Sequence, residues 1–271
     1  MKPAPFEYVR PQTVAEAVRL LATTPDAKIL AGGQTLGPML NLRLAQPAVL
    51  IDIGRIPELA SITEDREAIT VGTTVTHAAI EDRRIQDPTG GFLAYVARGI
   101  AYRAVRTRGT IGGSLAHADP AADWLSALTA LGAEVVIAGP RSNRTLPLSA
   151  FVRSAMQTEL GADELLVGVR IPRFSQRARF GFHKICRKTG EFAEAIGVVV
   201  DDPERAVLSM VAGATGGRPI VMEMKAAPCA KGMTIDAAQT LLTGAGYIAD
   251  AYDLKLHAVA LTRACHEAYA A

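Results

Sequence analysis

Two glycine pairs, each followed by hydroxyl or amide side chains, carry the clearest chemistry in this chain. Ala31-Gly32-Gly33-Gln34-Thr35-Leu36 comes directly after Lys28-Ile29-Leu30, and Thr110-Ile111-Gly112-Gly113-Ser114-Leu115-Ala116-His117-Ala118-Asp119-Pro120 forms the second segment. Glycine lets the backbone approach a ligand closely, so two such segments can cradle the two phosphates of one dinucleotide. One Gly-Gly pair alone is more often an ordinary turn. Two pairs, each fed by apolar residues and trailed by polar ones, favour phosphate binding and point to a flavin nucleotide. Neither segment matches the G-x-G-x-x-G fingerprint or a Walker lysine loop, so a Rossmann or ATPase mode is disfavoured.

Arg98, Arg103, Arg106 and Arg108 lie just before the second segment. They read either as a solvated basic face or as a docking site for phosphate or carboxylate. His117 reads as a loop-orienting or cofactor-side residue. Asp119 and Asp123, four apart, would share a helical face as a carboxylate pair, but a helix cap plus one cofactor hydrogen bond accounts for them better. His257 and His266 lack ligand spacing and read as surface or packing residues. Leu254, Ala258, Leu261, Cys265 and Ala268 form an apolar row expected in the core, with a subunit contact as the lesser alternative.

Length and composition narrow the classes. At 271 residues, 49% hydrophobic and 21% charged, the chain suits a globular protein of two or three packed subdomains. A net charge of +2, without long Lys or Arg runs, argues against a nucleic-acid partner. The three cysteines, Cys186, Cys229 and Cys265, are odd in number and far apart, so neither a disulfide framework nor a metal or iron-sulfur cluster is expected. A reducing compartment follows. With no signal segment and no apolar run of membrane-spanning length, the expected location is the cytoplasm.

Several elements must position the two segments. Thr13-Val14-Ala15-Glu16 is a capping-box pattern opening a helix that Pro25-Asp26 ends. Strands over 28–31 and 48–53 flank the first segment. A second unit begins near Ile56, with a strand over 69–75, helices over 76–84 and 91–99, the second glycine segment, and a helix over 119–131 with Asp119 as its cap. Strands over 134–138 and 164–171 close that unit at Pro172-Arg173. The remainder carries strands over 179–186, 195–200 and 206–212, a turn at Asp201-Asp202-Pro203, and helices over 234–242 and 251–270. The expected units are 1–55, 56–173 and 174–271.

These residues resemble the FAD-binding medium subunit of the molybdenum hydroxylases, the group containing carbon monoxide dehydrogenase and xanthine dehydrogenase. Ala31-Gly32-Gly33-Gln34-Thr35-Leu36-Gly37-Pro38 is similar to its first FAD segment. The run from Val105 through Thr110-Ile111-Gly112-Gly113-Ser114 to Asp123 is similar to its second, and Leu165 to Pro172 and Phe182-His183-Lys184 extend the match. The resemblance implies an α+β protein: a PCMH-type FAD-binding fold of two α+β subdomains, followed by a C-terminal sheet-and-helix domain. It implies that residues 31–36 and 110–114 wrap the pyrophosphate and ribityl chain. His117, Asp119 and Asp123 then lie on the cofactor side, and Ile100, Leu166 and Lys184 match further contact positions. Two departures stand out: Gly37 replaces a larger apolar residue, and Phe192 replaces a frequent tyrosine near the flavin ring.

The function implied is electron transfer. FAD in this chain would accept electrons from [2Fe-2S] clusters of a small iron-sulfur subunit, fed by the molybdenum cofactor of a large molybdopterin subunit, in a dimer of heterotrimers. No residue here would be a general base and none a metal ligand. The alternatives are a self-contained FAD-dependent oxidoreductase acting directly on a small molecule, and a scaffold that keeps the fold without FAD. The intact glycine segments count against the latter. The substrate of the complex would be set on another chain, and the final acceptor could be NAD, a quinone, a carrier protein or oxygen.

Overall fold

The computed structural model describes residues 1–224, 229 and 232–270. The chain begins with β1 (Glu7–Val9), α1 (Val14–Thr23), β2 (Ala27–Leu30), α2 (Leu36–Asn41) and β3 (Val49–Asp52). The capping pattern forms at Thr13, whose Oγ1 accepts from Glu16 N–H at 3.1 Å, while the Glu16 carboxylate reaches one residue further back, to Gln12 N–H at 2.7 Å. The three strands pair in the order β1-β3-β2, all parallel. Their carboxyl ends therefore share one edge. That edge carries the first glycine segment, after β2, and Asp52, the last residue of β3. Beneath the sheet, Ala17, Val18, Ile51 and Ile53 pack with Leu59 and Leu165 of the next region.

The central region comprises α3 (Pro57–Ala60), β4 (Ile62–Glu64), β5 (Ala68–Gly72), α4 (His77–Glu81), α5 (Phe92–Arg98), α6 (Arg103–Arg106), α7 (Ile111–His117), α8 (Asp123–Ala130), β6 (Glu134–Ala138), β7 (Asn143–Pro147), α9 (Leu148–Phe151), β8 (Val152–Ser154), β9 (Gln157–Thr158) and β10 (Leu165–Pro172). Its main sheet runs β4-β5-β10-β6-β7, antiparallel throughout. All eight residues of α8 are buried, with Trp124 at the centre.

Two expectations fail here. The second glycine segment is a helix, α7, capped by Thr110, because the Thr110 hydroxyl accepts from the Gly113 N–H and organises the first turn. The helix expected from Asp119 starts at Asp123 with Ala122 as its cap. Asp119 closes a tight turn instead, its Oδ1 accepting from Ala121 N–H at 3.0 Å. Asp119 and Asp123 consequently share no helical face.

The last region has β11 (Arg179–Ile185), β12 (Ala195–Asp202), β13 (Val207–Gly213) and β14 (Ile220–Glu223) in sequential antiparallel order, then α10 (Ile235–Gly244) and α11 (Ala251–Tyr269). Asp201 and Asp202 finish β12 rather than turning the chain. Helix α11 sits directly on the sheet backbone: a Cβ at Gly181 would strike the Ala264 carbonyl, and one at Gly197 would lie 2.5 Å from the Ala260 carbonyl carbon. Ala258, Leu261, Cys265 and Ala268 are in its core, with Leu254 against them. The cysteine expectation is corrected as well. Cys229 and Cys265 form a disulfide, with Cα atoms 5.0 Å apart, and Cys186 remains a thiol. Folding brings together two residues that 36 positions of sequence keep apart.

Candidate functional site

The chain leaves the carboxyl end of β2 through Ala31, Gly32 and Gly33 and enters α2, with Gly37 N–H bonded to the Gly33 carbonyl at 2.9 Å. Gly33 has φ +70°, a left-handed conformation that suits glycine. Gly32 is required for a different reason. A Cβ there would strike the Arg108 carbonyl and lie 2.9 Å from Gly109 Cα. The first glycine segment thus packs against the turn that introduces the second, and Gly113 approaches Ala31 from the other side, with its Cβ position 3.9 Å from the Ala31 Cβ. The backbone N–H groups of Gly32, Gly33, Gln34 and Thr35 find no acceptor among the described residues. Four consecutive donors at a strand end suit an anion.

The second segment behaves otherwise. Ile111 N–H donates to the Val75 carbonyl and Gly112 N–H to the Thr73 carbonyl, both at 3.0 Å, while Gly113 N–H donates to Thr110 Oγ1 at 3.1 Å. The first turn of α7 therefore offers no spare donor at those positions. Gly112 is a glycine for packing, since its Cβ would lie 2.7 Å from the Thr73 carbonyl oxygen. Ile111 is fully buried. What this segment presents outward is the Thr110 side of its cap.

Ala31, Gly32, Gly33 and Thr110 line one concavity of about 350 Å³. Thr74 and Thr76 join them from the loop after β5, and Thr107 and Arg108 from the turn before α7. Thr74 is nine-tenths buried and its hydroxyl has no partner among the described residues. The run Thr73-Thr74-Val75-Thr76 is visible in the sequence as three hydroxyls in four residues. Nothing local marks that run as part of the site, because it lies far from both glycine pairs along the chain.

A second group gathers around α8. Lys184 Nζ on β11 lies 3.1 Å from the Asp123 carboxylate and 3.3 Å from the Gly99 carbonyl. Both side chains are nearly enclosed, at 10% and 7% exposure. Burial pushes the Asp123 carboxyl above the usual carboxylate range, and the Lys184 ammonium opposes that rise. Asp123 Oδ1 also lies 3.1 Å from the Lys184 ammonium, without a partner of hydrogen-bond geometry among the described residues. Ile100 adjoins this group through its bridge to Gly190. Beyond that bridge opens a second concavity, about 610 Å³, bounded by Tyr102 and by Phe192, which is 69% exposed.

Other expected site residues do not line the first concavity. Leu166 is buried, and its carbonyl accepts from Thr73 Oγ1 at 3.0 Å. Gln34, Thr35 and Leu36 lead into α2, with Gln34 Nε2 donating to the Gly32 carbonyl at 3.1 Å. Ser114 is half-buried along α7. His117 and Asp119 lie at or beyond the far end of α7, away from the concavity that holds Thr110.

The arginine cluster divides. Arg106 is buried and held by two bonds to Glu81 and by the carbonyls of Ile100 and Ala101. Arg103 pairs with Glu81 and Asp82 at 2.7 Å. The carboxylates they suit are the chain's own. Arg108 alone of these three lines the first concavity.

Beneath the site lies a histidine outside the expected set. His77 is 5% exposed, and its Nδ1 accepts from Trp124 Nε1 at 3.1 Å. Nδ1 therefore carries no proton, and the ring is neutral. Burial, with the nearby Arg106 charge, pushes its pKa down to about 4.

An α+β core with a glycine-built cleft bearing spare backbone donors suits a protein that holds a nucleotide cofactor. Comparison with known proteins agrees. The family described as the FAD binding domain in molybdopterin dehydrogenase matches residues 4–174. The carbon monoxide dehydrogenase medium chain of Hydrogenophaga pseudoflava is 41% identical over 196 residues, 72% of this chain and 68% of that one. Caffeine dehydrogenase subunit beta of a Pseudomonas strain is 38% identical over 196 residues, covering 72% and 66%. These alignments thus span about two thirds of the relatives' length. The solved carbon monoxide dehydrogenase of Hydrogenophaga pseudoflava superimposes with a TM-score of 0.87 at 34% identity, over 100% of this chain and 99% of that one. Quinoline 2-oxidoreductase of Pseudomonas putida gives 0.83 at 30% identity, over 99% and 98%. The chain belongs to the family of FAD-binding medium subunits of molybdopterin dehydrogenases, and is an oxidoreductase subunit of that class.

Among the described residues no helix is long and apolar enough to cross a membrane. No group of three or more His, Cys, Asp or Glu there could hold a metal ion.

Proposed function

We propose that this chain binds FAD and passes electrons from the [2Fe-2S] clusters of a small partner subunit to an external acceptor, the clusters being supplied by a molybdenum cofactor on a large partner subunit. One observation carries the reading: a run of unpaired backbone N–H groups from Gly32 to Thr35 that begins in a cleft which Gly32, Gly33 and Thr110 line, where the two glycine segments touch. Such a run supports a diphosphate without requiring a lysine loop. FAD, when bound, supplies the redox chemistry.

The chain's own residues bind and orient. Gly32 and Gly33 hold the donors open, Arg108 adds positive charge, and the Asp123–Lys184 pair fixes a polar wall whose Oδ1 can still accept a bond. Phe192 and Tyr102 border the open mouth through which an acceptor could reach the cofactor. Residues 31–36 and 110–114, together with Ile100, Asp123, Leu166 and Lys184, are the proposed cofactor contacts.

The test is purification of the native protein from its own source. Two further chains should accompany it, with molybdenum, iron and FAD in the same fractions. Recovery of this chain as a fully active, molybdenum-free oxidase would replace the reading with a self-contained flavoenzyme.

A further inference from the structure

The turn between α5 and α6 is held by two buried cations. The Lys184 ammonium lies 3.3 Å from the Gly99 carbonyl, and Arg106 Nη1 donates to the Ile100 and Ala101 carbonyls, each at 2.9 Å. Three successive backbone oxygens therefore meet positive charge. Each cation has its own carboxylate: Asp123 for Lys184, and for Arg106 the Glu81 carboxylate, which accepts from Nε at 2.7 Å and from Nη2 at 3.0 Å. The Arg106 and Glu81 side chains are 10% and 14% exposed. Within this clamp Ala101 holds φ +43°, a left-handed conformation that a residue with a Cβ keeps only where its surroundings impose it.

The consequences fall on the second concavity. Tyr102, the next residue along, lines it and is 55% exposed. Phe192, which also lines it, belongs to the loop joining β11 to β12. The bridge between Ile100 and Gly190 is that loop's one backbone pairing with another part of the chain among the described residues. Gly190 fits there because its φ is +90° and because a Cβ would lie 2.7 Å from the Ala101 carbonyl oxygen. The loop's own ion pairs, Arg187 with Glu191 and Glu194 and Lys188 with Glu191, stay within the loop. A buried ion pair is weak evidence for stability, since well-packed apolar side chains can often replace it without loss. Backbone strain outside glycine, by contrast, collects at working sites.

We infer that Arg106, held by Glu81, is a positioning residue for the mouth of the second concavity. By fixing the carbonyls of Ile100 and Ala101 it places Tyr102 and, through Gly190, pins the loop that carries Phe192. Arg106 itself lines neither concavity, so it acts through these residues. The inference rests on the FAD reading only in taking that mouth as the acceptor's way to the cofactor; the pinning belongs to the chain alone.

The experiment is limited trypsin digestion of the full chain without flavin, following cleavage after Arg187 and Lys188, with cleavage after Arg153 as the reference. These side chains are 83%, 66% and 59% exposed. Arg106→Lys keeps a cation for Glu81 but lacks the planar fork that serves two carbonyls and both carboxylate oxygens. Losing a charged hydrogen bond should speed cleavage in the loop about tenfold or more while the reference site keeps its rate. Gly190→Ala breaks the bridge from the loop side and leaves Arg106 in place; it should act the same way, and it decides the matter if Arg106→Lys fails to fold. In flavin-loaded protein both variants should leave the flavin fluorescence more readily quenched by iodide. Equal acceleration at Arg153, or none at the loop in a folded variant, overturns the assignment and leaves Arg106 a stability residue. A released loop with unchanged quenching overturns the link to the mouth. If the parent chain takes up no FAD while the loop responds as expected, the FAD reading falls and the pinning stands.

Discussion

Glycines close together in sequence perform different tasks here. Gly33 supplies a left-handed turn, Gly32 and Gly112 supply contact distance, and Gly37 supplies neither. Within α2, a Cβ at Gly37 meets nothing within 4 Å. The departure from the larger residue that resemblance leads one to expect is therefore a loss of helix propensity rather than a packing need. Gly37→Ala should raise stability by about 0.5–1 kcal/mol. Gly32→Ala should cost about 1–3 kcal/mol, because its methyl meets backbone that cannot rotate away, and should lower the flavin recovered per protein. Thermal unfolding and flavin absorbance measure both. A Gly32→Ala variant as stable and as yellow as the parent would remove the contact between the two segments from the explanation.

At the level of elements, His77 fastens α4 to α8 and to the turn before α7. Its backbone N–H donates to the Gly109 carbonyl at 2.9 Å, and its ring joins Trp124. Because the folded ring refuses a proton until about pH 4, whereas an unfolded histidine takes one near 6.5, the unfolded chain binds more protons between those values. Stability should fall as pH drops from 6.5 toward 4, by up to about 3 kcal/mol. Unfolding midpoints across that window should decline less steeply in His77→Gln than in the parent. Equal slopes would show that other groups set the acid response.

The same elements show what the sequence discloses. The capping pattern at Thr13, the strand over 134–138 and the long last helix were legible because periodicity and caps act over a few residues. Helix α7 was not: two adjacent glycines argue against helix, and only the cap at Thr110 with the contact to Thr73 overrides their propensity. The segments 143–147 and 148–158 lack strong apolar alternation and so carry no local signal for the elements they form. Of the residues lining the first concavity, Ala31, Gly32, Gly33 and Thr110 stand out locally in the two glycine segments. Thr74, Asp52 and His77 do not, since each gains meaning only from partners tens of positions away.

For the whole molecule, the Cys229–Cys265 disulfide closes a loop in the last region and ties it to α11. Constraining about 36 residues of the unfolded chain contributes about 3–4 kcal/mol in the chain-entropy account. Thiol titration of the denatured, unreduced protein should find one reactive sulfur, Cys186, and three after reduction. Reduction, or Cys229→Ser, should lower the unfolding midpoint. Three titratable thiols without reductant would show that the bridge does not form in solution.

The seat of α11 on Gly181 and Gly197 carries a mechanical meaning. Where helix and strand meet backbone to backbone, no rotamer exists to absorb a displacement, so helix and sheet travel as one piece. Lys184 is three residues from Gly181 on the same strand, and its ammonium is the anchor point of Asp123. A methyl group added at the helix seat would thus be transmitted along β11 to the Lys184–Asp123 pair, making two plain glycines at the back of the protein part of the calibration of its front.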